Sequence, residues 1–157
     1  MPEPLDYQLV LAVQTALEAI TVAGGYHYTV PADAVKLDID AGAEDFLREG
    51  GAWPVLAIEV QPDEEWDYGK ADQLVAKLRL AIHWFGVSDL TDDASRMQTY
   101  FRACADIERA LNADLTLGGL ATDIRVLRRE PAYDERGSRV WAEITVEIRH
   151  YRAYGAP

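Results

Sequence analysis

Apolar positions recur at two spacings along this chain, and the change from one to the other marks its elements. From Leu5 to Val22, the residues Leu9, Val13, Ala16, Leu17 and Ile20 fall on one helical stripe. Asp6 lies in the first turn, where a carboxylate suits the exposed N–H groups, and Gly24-Gly25 is the expected stop. The period then drops to two. Tyr26, Tyr28 and Val30, followed by Val35, Leu37 and Ile39, predict two short strands or one bent at Pro31. AGAEDFLREGGAW reads as loop with a helical turn. WPVLAIEVQ reads as a strand, continuously apolar at its centre and therefore central in a sheet. In LVAKLRLAIHWFGV, Leu78, Leu80, Ile82 and Trp84 point one way and Lys77, Arg79 and His83 the other, as in a half-buried strand.

A second long helix is expected over TDDASRMQTYFRACADIERALNADL. Thr91 is its candidate N-cap, and Met97, Phe101, Cys104, Ile107 and Leu111 its buried stripe. Beyond LGG the chain enters a hairpin. Ile124 and Val126 mark its first strand and EPAYDERGSR its turn region. Its second strand, Val140 to Arg152, alternates most clearly: Val140, Ala142, Ile144, Val146 and Ile148 inward, Trp141, Glu143, Thr145, Glu147 and Arg149 outward. That strand exceeds the usual length, so it either bends or leaves the domain to pair elsewhere. These elements predict a single α+β domain over residues 1–157. Its two main helices pack on one face of a mixed or antiparallel sheet in two layers, and the chain ends in a long β-hairpin.

The paired glycines of LGG raise a chemical question. Phosphate-binding glycines stand after a strand at a helix N-terminus, where N–H groups converge on the anion. Gly118 and Gly119 stand after a helix and before a strand, so their role is the positive φ that turns the chain back onto the sheet. His27, His83 and His150 have no partner at zinc-ligand spacing, and His83 and His150 fall among charged strand neighbours as surface or edge residues. Cys104 sits on an apolar stripe as a buried, unreactive thiol, and as the one cysteine it excludes an internal disulfide framework. Asp38 and Asp40 share one face of an expected strand. Asp63, Glu64, Glu65 and Asp67 crowd a loop that reads as a solvated acidic segment; a hard cation would suit it, but the spacing matches no calcium loop. No catalytic, cofactor-binding or metal-ligating set is therefore assigned.

Charge and aromatics sharpen the picture. The net charge is −12, which disfavours specific binding of a phosphate backbone unless a local basic patch dominates. Solubility explains that balance, and so does a surface that sits near DNA without sticking to it. The N-terminus lacks the basic start and apolar core of a secretory signal, and no segment has the apolar length of a membrane helix, so synthesis in the cytoplasm is expected. Trp66 and Tyr68 fall in the acidic loop, Tyr133 in the hairpin turn, and Trp141 and Tyr151 on the outward face of the last strand. Exposed aromatics of this kind concentrate at the centres of protein interfaces; the alternative is that they cover the second face of the sheet.

The order of elements is itself informative. "LVLAVQTALEAI" closed by "GGYHYTV", then "PVLAIEV", then "ADIERALNADLTLGGLATDIRVLRREP" leading to "VWAEITVEIRHYRAY", resembles the tail terminator (tail completion) proteins of long-tailed bacteriophages. The resemblance covers most of the chain and is most specific in the run "DIERAL…D…LGG…A.D". It implies a helices-on-one-sheet fold and a virion protein forming a homo-hexameric ring. That ring would cap the tail tube, end its growth and present a surface to the head–tail connector or neck. No active site comes with it. In such an assembly the five aromatics above are candidate interface residues, and Asp63, Glu64, Glu65 and Asp67 a candidate acidic lumen through which DNA passes unbound. The final strand would be free to extend a neighbour's sheet. The alternatives are a neighbouring head–tail joining protein and, in another class, a small enzyme or ligand-binding domain using the acidic cluster with a divalent metal.

Overall fold

The computed structural model describes residues 3–47, 53–62, 67–68, 73–133 and 137–153. The first helix, α1 (Leu5–Glu18), buries Leu9, Val13 and Leu17 as their spacing requires. It ends four residues earlier than expected. The Ile20 amide turns onto the Leu17 carbonyl, dropping Ile20 into the core. The glycine pair instead closes a following single turn, Val22–Gly24, where the Thr21 hydroxyl accepts from the Gly24 N–H and Gly25 adopts φ +87°.

The segment 26–30 forms no strand. The Asp106 carboxylate fixes it by accepting from the amides of His27 and Tyr28 at 2.9–3.0 Å, which lays Tyr28 against Trp84. Only Val35–Lys36 (β1) is extended, parallel to the next strand. The alternation continuing to Ile39 is overridden by Asp38, whose carboxylate accepts from the Asp40 N–H at 2.9 Å and opens the helix α2 (Ile39–Leu47). Asp38 and Asp40 therefore share a helix start, not a strand face.

Strand β2 (Val55–Gln61) is covered by β1 only at Leu56 and Ala57, so it is central for half its length and an edge for the rest. A short strand, β3 (Asp67–Tyr68), pairs with the start of β4 (Gln73–Val87). The long helix α3 (Asp93–Asn112) is capped by Asp92 rather than Thr91, its carboxylate accepting from Ser95 N–H at 2.8 Å. The stripe on α3 is rotated from the expected one. Tyr100, Ala103, Cys104, Ile107, Ala110 and Leu111 face the sheet, whereas Met97 and Phe101 are more than half exposed. Leu117, Gly118 and Gly119 then take positive φ, as the turn reading of LGG requires.

The hairpin strands are longer than expected. β5 (Asp123–Tyr133) absorbs much of the anticipated turn, and Tyr133 stands opposite Val140 as a strand residue. β6 (Arg139–Ala153) pairs with β4 through one unbroken antiparallel register, from Gln73↔Ala153 to Val87↔Arg139. The sheet order is β1-β2-β4-β6-β5, with β1 and β2 parallel and the other pairs antiparallel. The overlong last strand thus stays in its own sheet. Flanked by β4 and β5 from Val140 to Arg149, it offers no free edge there to a neighbour.

The fold is α+β, with α1 and α3 packed on one face of a mixed sheet as the patterning predicts. The core between them includes Leu56, Ile58, Leu80, Ile82, Ile144 and Ile148. On the opposite face α2 covers Ala57 and Phe85 with Ile39 and Ala43. Its approach is close: a Cβ on Gly42 would lie 2.9 Å from that of Ala57.

Candidate functional site

The second face of the sheet is where chemistry and exposure meet. Alternation along β4 and β6 sends Arg79, His83, Phe85, Trp141, Glu143, Glu147 and Tyr151 to this side. Beneath α2 the face is dry. His83, expected at the surface, is 2% exposed, in a three-ring cluster with Phe85, on which it stacks, and Trp141, to which it is tilted. Trp141 Nε1–H donates to His83 Nδ1 at 3.2 Å, which assigns the imidazole proton to Nε2, 3.0 Å from the Glu59 carboxylate. Glu143 lies 3.9 Å from Nδ1. Trp141 also stacks on Phe85 at 5.7 Å, so this aromatic is anchored at one edge while 38% of it remains exposed.

Away from α2 the same face is charged and ion-paired. Glu147 is buried where Arg149 Nε donates to it at 2.9 Å and Arg79 approaches at 3.5 Å. Arg125 bonds Asp123 at 2.6 Å, and Arg128 bonds Glu130. Tyr151 stands here 54% exposed. His150 points the other way and is buried with its Nε2 3.0 Å from Asp6 of α1, contrary to its expected surface role.

On the helix face, α1 stops short of the lower end of β2 and leaves a cleft of about 680 Å³. Tyr7, Leu37 and Val60 are exposed apolar groups in its lining, and Asp6 and Asp38 border it, while the Glu59 carboxylate turns to His83 on the other face. At the opposite sheet edge, the pairing of β5 with β6 slips between Val126 and Arg128. The extra residue, Leu127, is 48% exposed on that bulge.

The remaining sequence candidates are only partly placed. Asp63, Glu64, Glu65 and Trp66 lie outside the described residues. Asp67 and Tyr68 form β3 where loop was expected, their backbones paired with Val75 and Leu74; their side chains, and that of Tyr133, also lie outside the description. Sequence reasoning missed the His83–Glu59–Trp141 cluster because its members come from β2, β4 and β6 and meet only through pairing between remote strands. It also missed Asp114. The Thr116 hydroxyl first, then the Gly118 and Thr116 amides, hold its carboxyl below the ordinary aspartate range. Cys104 is buried as expected, and burial pushes its thiol up, away from thiolate chemistry.

Among the described residues no group of three or more His, Cys, Asp or Glu is placed to hold a metal ion. None of their helices is long and apolar enough to cross a membrane. No family model matches the chain, and no curated protein matches it in sequence.

Proposed function

We propose that this protein is a virion structural subunit that assembles with copies of itself into a ring, caps a phage tail tube and joins it to the neck. The observation that carries the reading is the half-covered second face of the sheet. Tyr151 stands uncovered there, and Trp141, with one edge fixed by His83 and Phe85, presents the other to solvent. A rigid, partly exposed aromatic is the kind of group that anchors a protein interface at low entropic cost. Two further features support it. The α+β fold with two helices on one sheet face is the fold that the resemblance to tail terminators implies. The charge of −12 suits a conduit whose walls repel a passing duplex.

Light scattering at rising protein concentration, followed by electron microscopy, tests this. The expected particle has six times the 17.5 kDa of one chain and an open centre, and Tyr151→Ser shifts its formation to higher concentration. A single-chain mass throughout, with a melting temperature that climbs on addition of magnesium or calcium, would refute the reading and favour a metal-dependent domain.

A further inference from the structure

One nitrogen of the His83 ring has two neighbours that compete for it. The ring is 2% exposed, so its hydrogen bonds are made within the protein. Nε2 lies 3.0 Å from the Glu59 carboxylate, and Nδ1 accepts from the Trp141 indole N–H at 3.2 Å. A nitrogen that accepts carries no proton, so this is the geometry of the neutral imidazole. The second neighbour of Nδ1 is the Glu143 carboxylate, 3.9 Å away. An ionised carboxylate only accepts, so the neutral ring offers it nothing at that nitrogen.

One proton reverses the competition. Imidazolium donates from both nitrogens. Nε2–H keeps Glu59, but Nδ1–H then faces the indole N–H donor to donor, and that bond is lost. A movement of about 1 Å brings Glu143 within reach of the new donor, in a charge-assisted bond. Each protonation state thus has a full set of partners for the ring. The two states differ in which side chain of β6 holds Nδ1, Trp141 or its near neighbour Glu143.

The charged groups around the ring come from every neighbouring element. β2 supplies Glu59 and β6 supplies Glu143. β5 sets Glu130 opposite Glu143, where Arg128 pairs with it. β1 sets Lys36 in the same row as His83, beyond Ala57. On β4 itself Arg79 shares this face but turns to Glu147. From α2, Ile39 and Ala43 pack toward the sheet, while Asp40 is exposed. Among the described residues, the carboxylates within 4 Å of the imidazole are therefore Glu59 and Glu143.

We infer that His83 is a proton-operated latch on Trp141: the neutral ring fixes the indole, and the protonated ring releases it and takes Glu143. A released Trp141 keeps its stack on Phe85 but loses the bond that orients its polar edge. The latch belongs to the single chain and does not rest on self-assembly. Where copies meet through Trp141, acid loosens the contact.

Nitrogen-15 NMR of the histidine and tryptophan side chains tests it. At neutral pH, His83 is expected to carry its proton on Nε2 and none on Nδ1. As pH falls the ring becomes imidazolium, and the Trp141 indole N–H, identified by its loss in Trp141→Phe, shifts and exchanges faster with the same midpoint. The two partners move that midpoint in opposite directions. Glu143→Gln removes the charge that receives the protonated ring and lowers it by about one unit. Trp141→Phe removes the donor that holds the neutral ring and raises it by about half a unit to one unit. His83→Gln leaves the indole signal flat over the same range. A proton on Nδ1 at neutral pH overturns the inference, as does an indole signal that ignores the titration. So does a midpoint that both variants move the same way, or that neither moves. A ring that stays neutral until circular dichroism reports unfolding overturns it as well. Light scattering over the same pH range keeps the two proposals apart: a latch that titrates with no change in particle mass upholds this inference and counts against Trp141 as the subunit contact.

Discussion

The Gly86→Ala substitution tests the packing of the helix-face core at one defined point. Gly86 needs no left-handed backbone, so an added methyl is judged by space alone. That methyl would meet the benzo ring of Trp84, 2.2 Å from Cη2 and 2.7 Å from Cζ2 and Cζ3. The indole cannot simply swing aside, because Trp84 is buried against Tyr28 at a ring separation of 5.3 Å. Over-packing of a tight core costs about 1–3 kcal/mol, and relief of a strand glycine returns about 0.5–1 kcal/mol. A net loss of about 1–2 kcal/mol lowers the melting temperature of a chain this size by roughly 2–8 °C. Thermal and urea unfolding followed by circular dichroism measure it. Trp84→Phe deletes all three clashing atoms, so in that background Gly86→Ala is expected to stabilise by about 0.5–1 kcal/mol, and the cycle reads the pair term directly. An equal cost in both backgrounds, or no cost in either, refutes the reasoning.

Two other substitutions probe the loops that shape the molecule. Asp106→Ala strips the buried carboxylate that accepts from the amides of His27 and Tyr28, and is expected to cost about 2–3 kcal/mol in urea unfolding; a loss under about 0.5 kcal/mol contradicts the clamp. Asp114 has its carboxyl held low in the folded chain, so its contribution is full above the unfolded value of about 3.9 and disappears as pH falls through the lower folded value. Wild type is therefore more stable than Asp114→Asn at neutral pH, and the gap closes in acid; a gap of constant size down to about pH 2 argues against it.

The sheet was legible because its strands obey a clean two-residue period. Val140, Ala142, Ile144, Val146 and Ile148 are all fully buried, as their alternation requires. Helix α3 was legible in extent but not in phase. Its buried face includes Arg96, Thr99 and Asp106, which read as surface in a linear pattern and pushed the apparent stripe onto Met97 and Phe101. These polar groups are inside because backbone satisfies them, some of it remote: Thr99 donates to the Ser95 carbonyl, Arg96 to the carbonyls of Thr91 and Gly137, and Asp106 accepts from the 27–28 amides. The His83 cluster was illegible for the same reason, since nothing local announces that Glu59 and Trp141 meet the ring across paired strands. The cleft and the Leu127 bulge depend on where β1 stops and where a ladder slips, both products of pairing between remote segments.

The continuous ladder between β4 and β6 has a mechanical consequence. At about 3.3 Å per residue, fifteen paired positions make a strut roughly 50 Å long. Sliding β4 by a single residue would drive Arg79 into the oily side and expel Leu80, and sliding β6 would do the same with Glu147 and Val146. The ladder therefore resists shear as a unit.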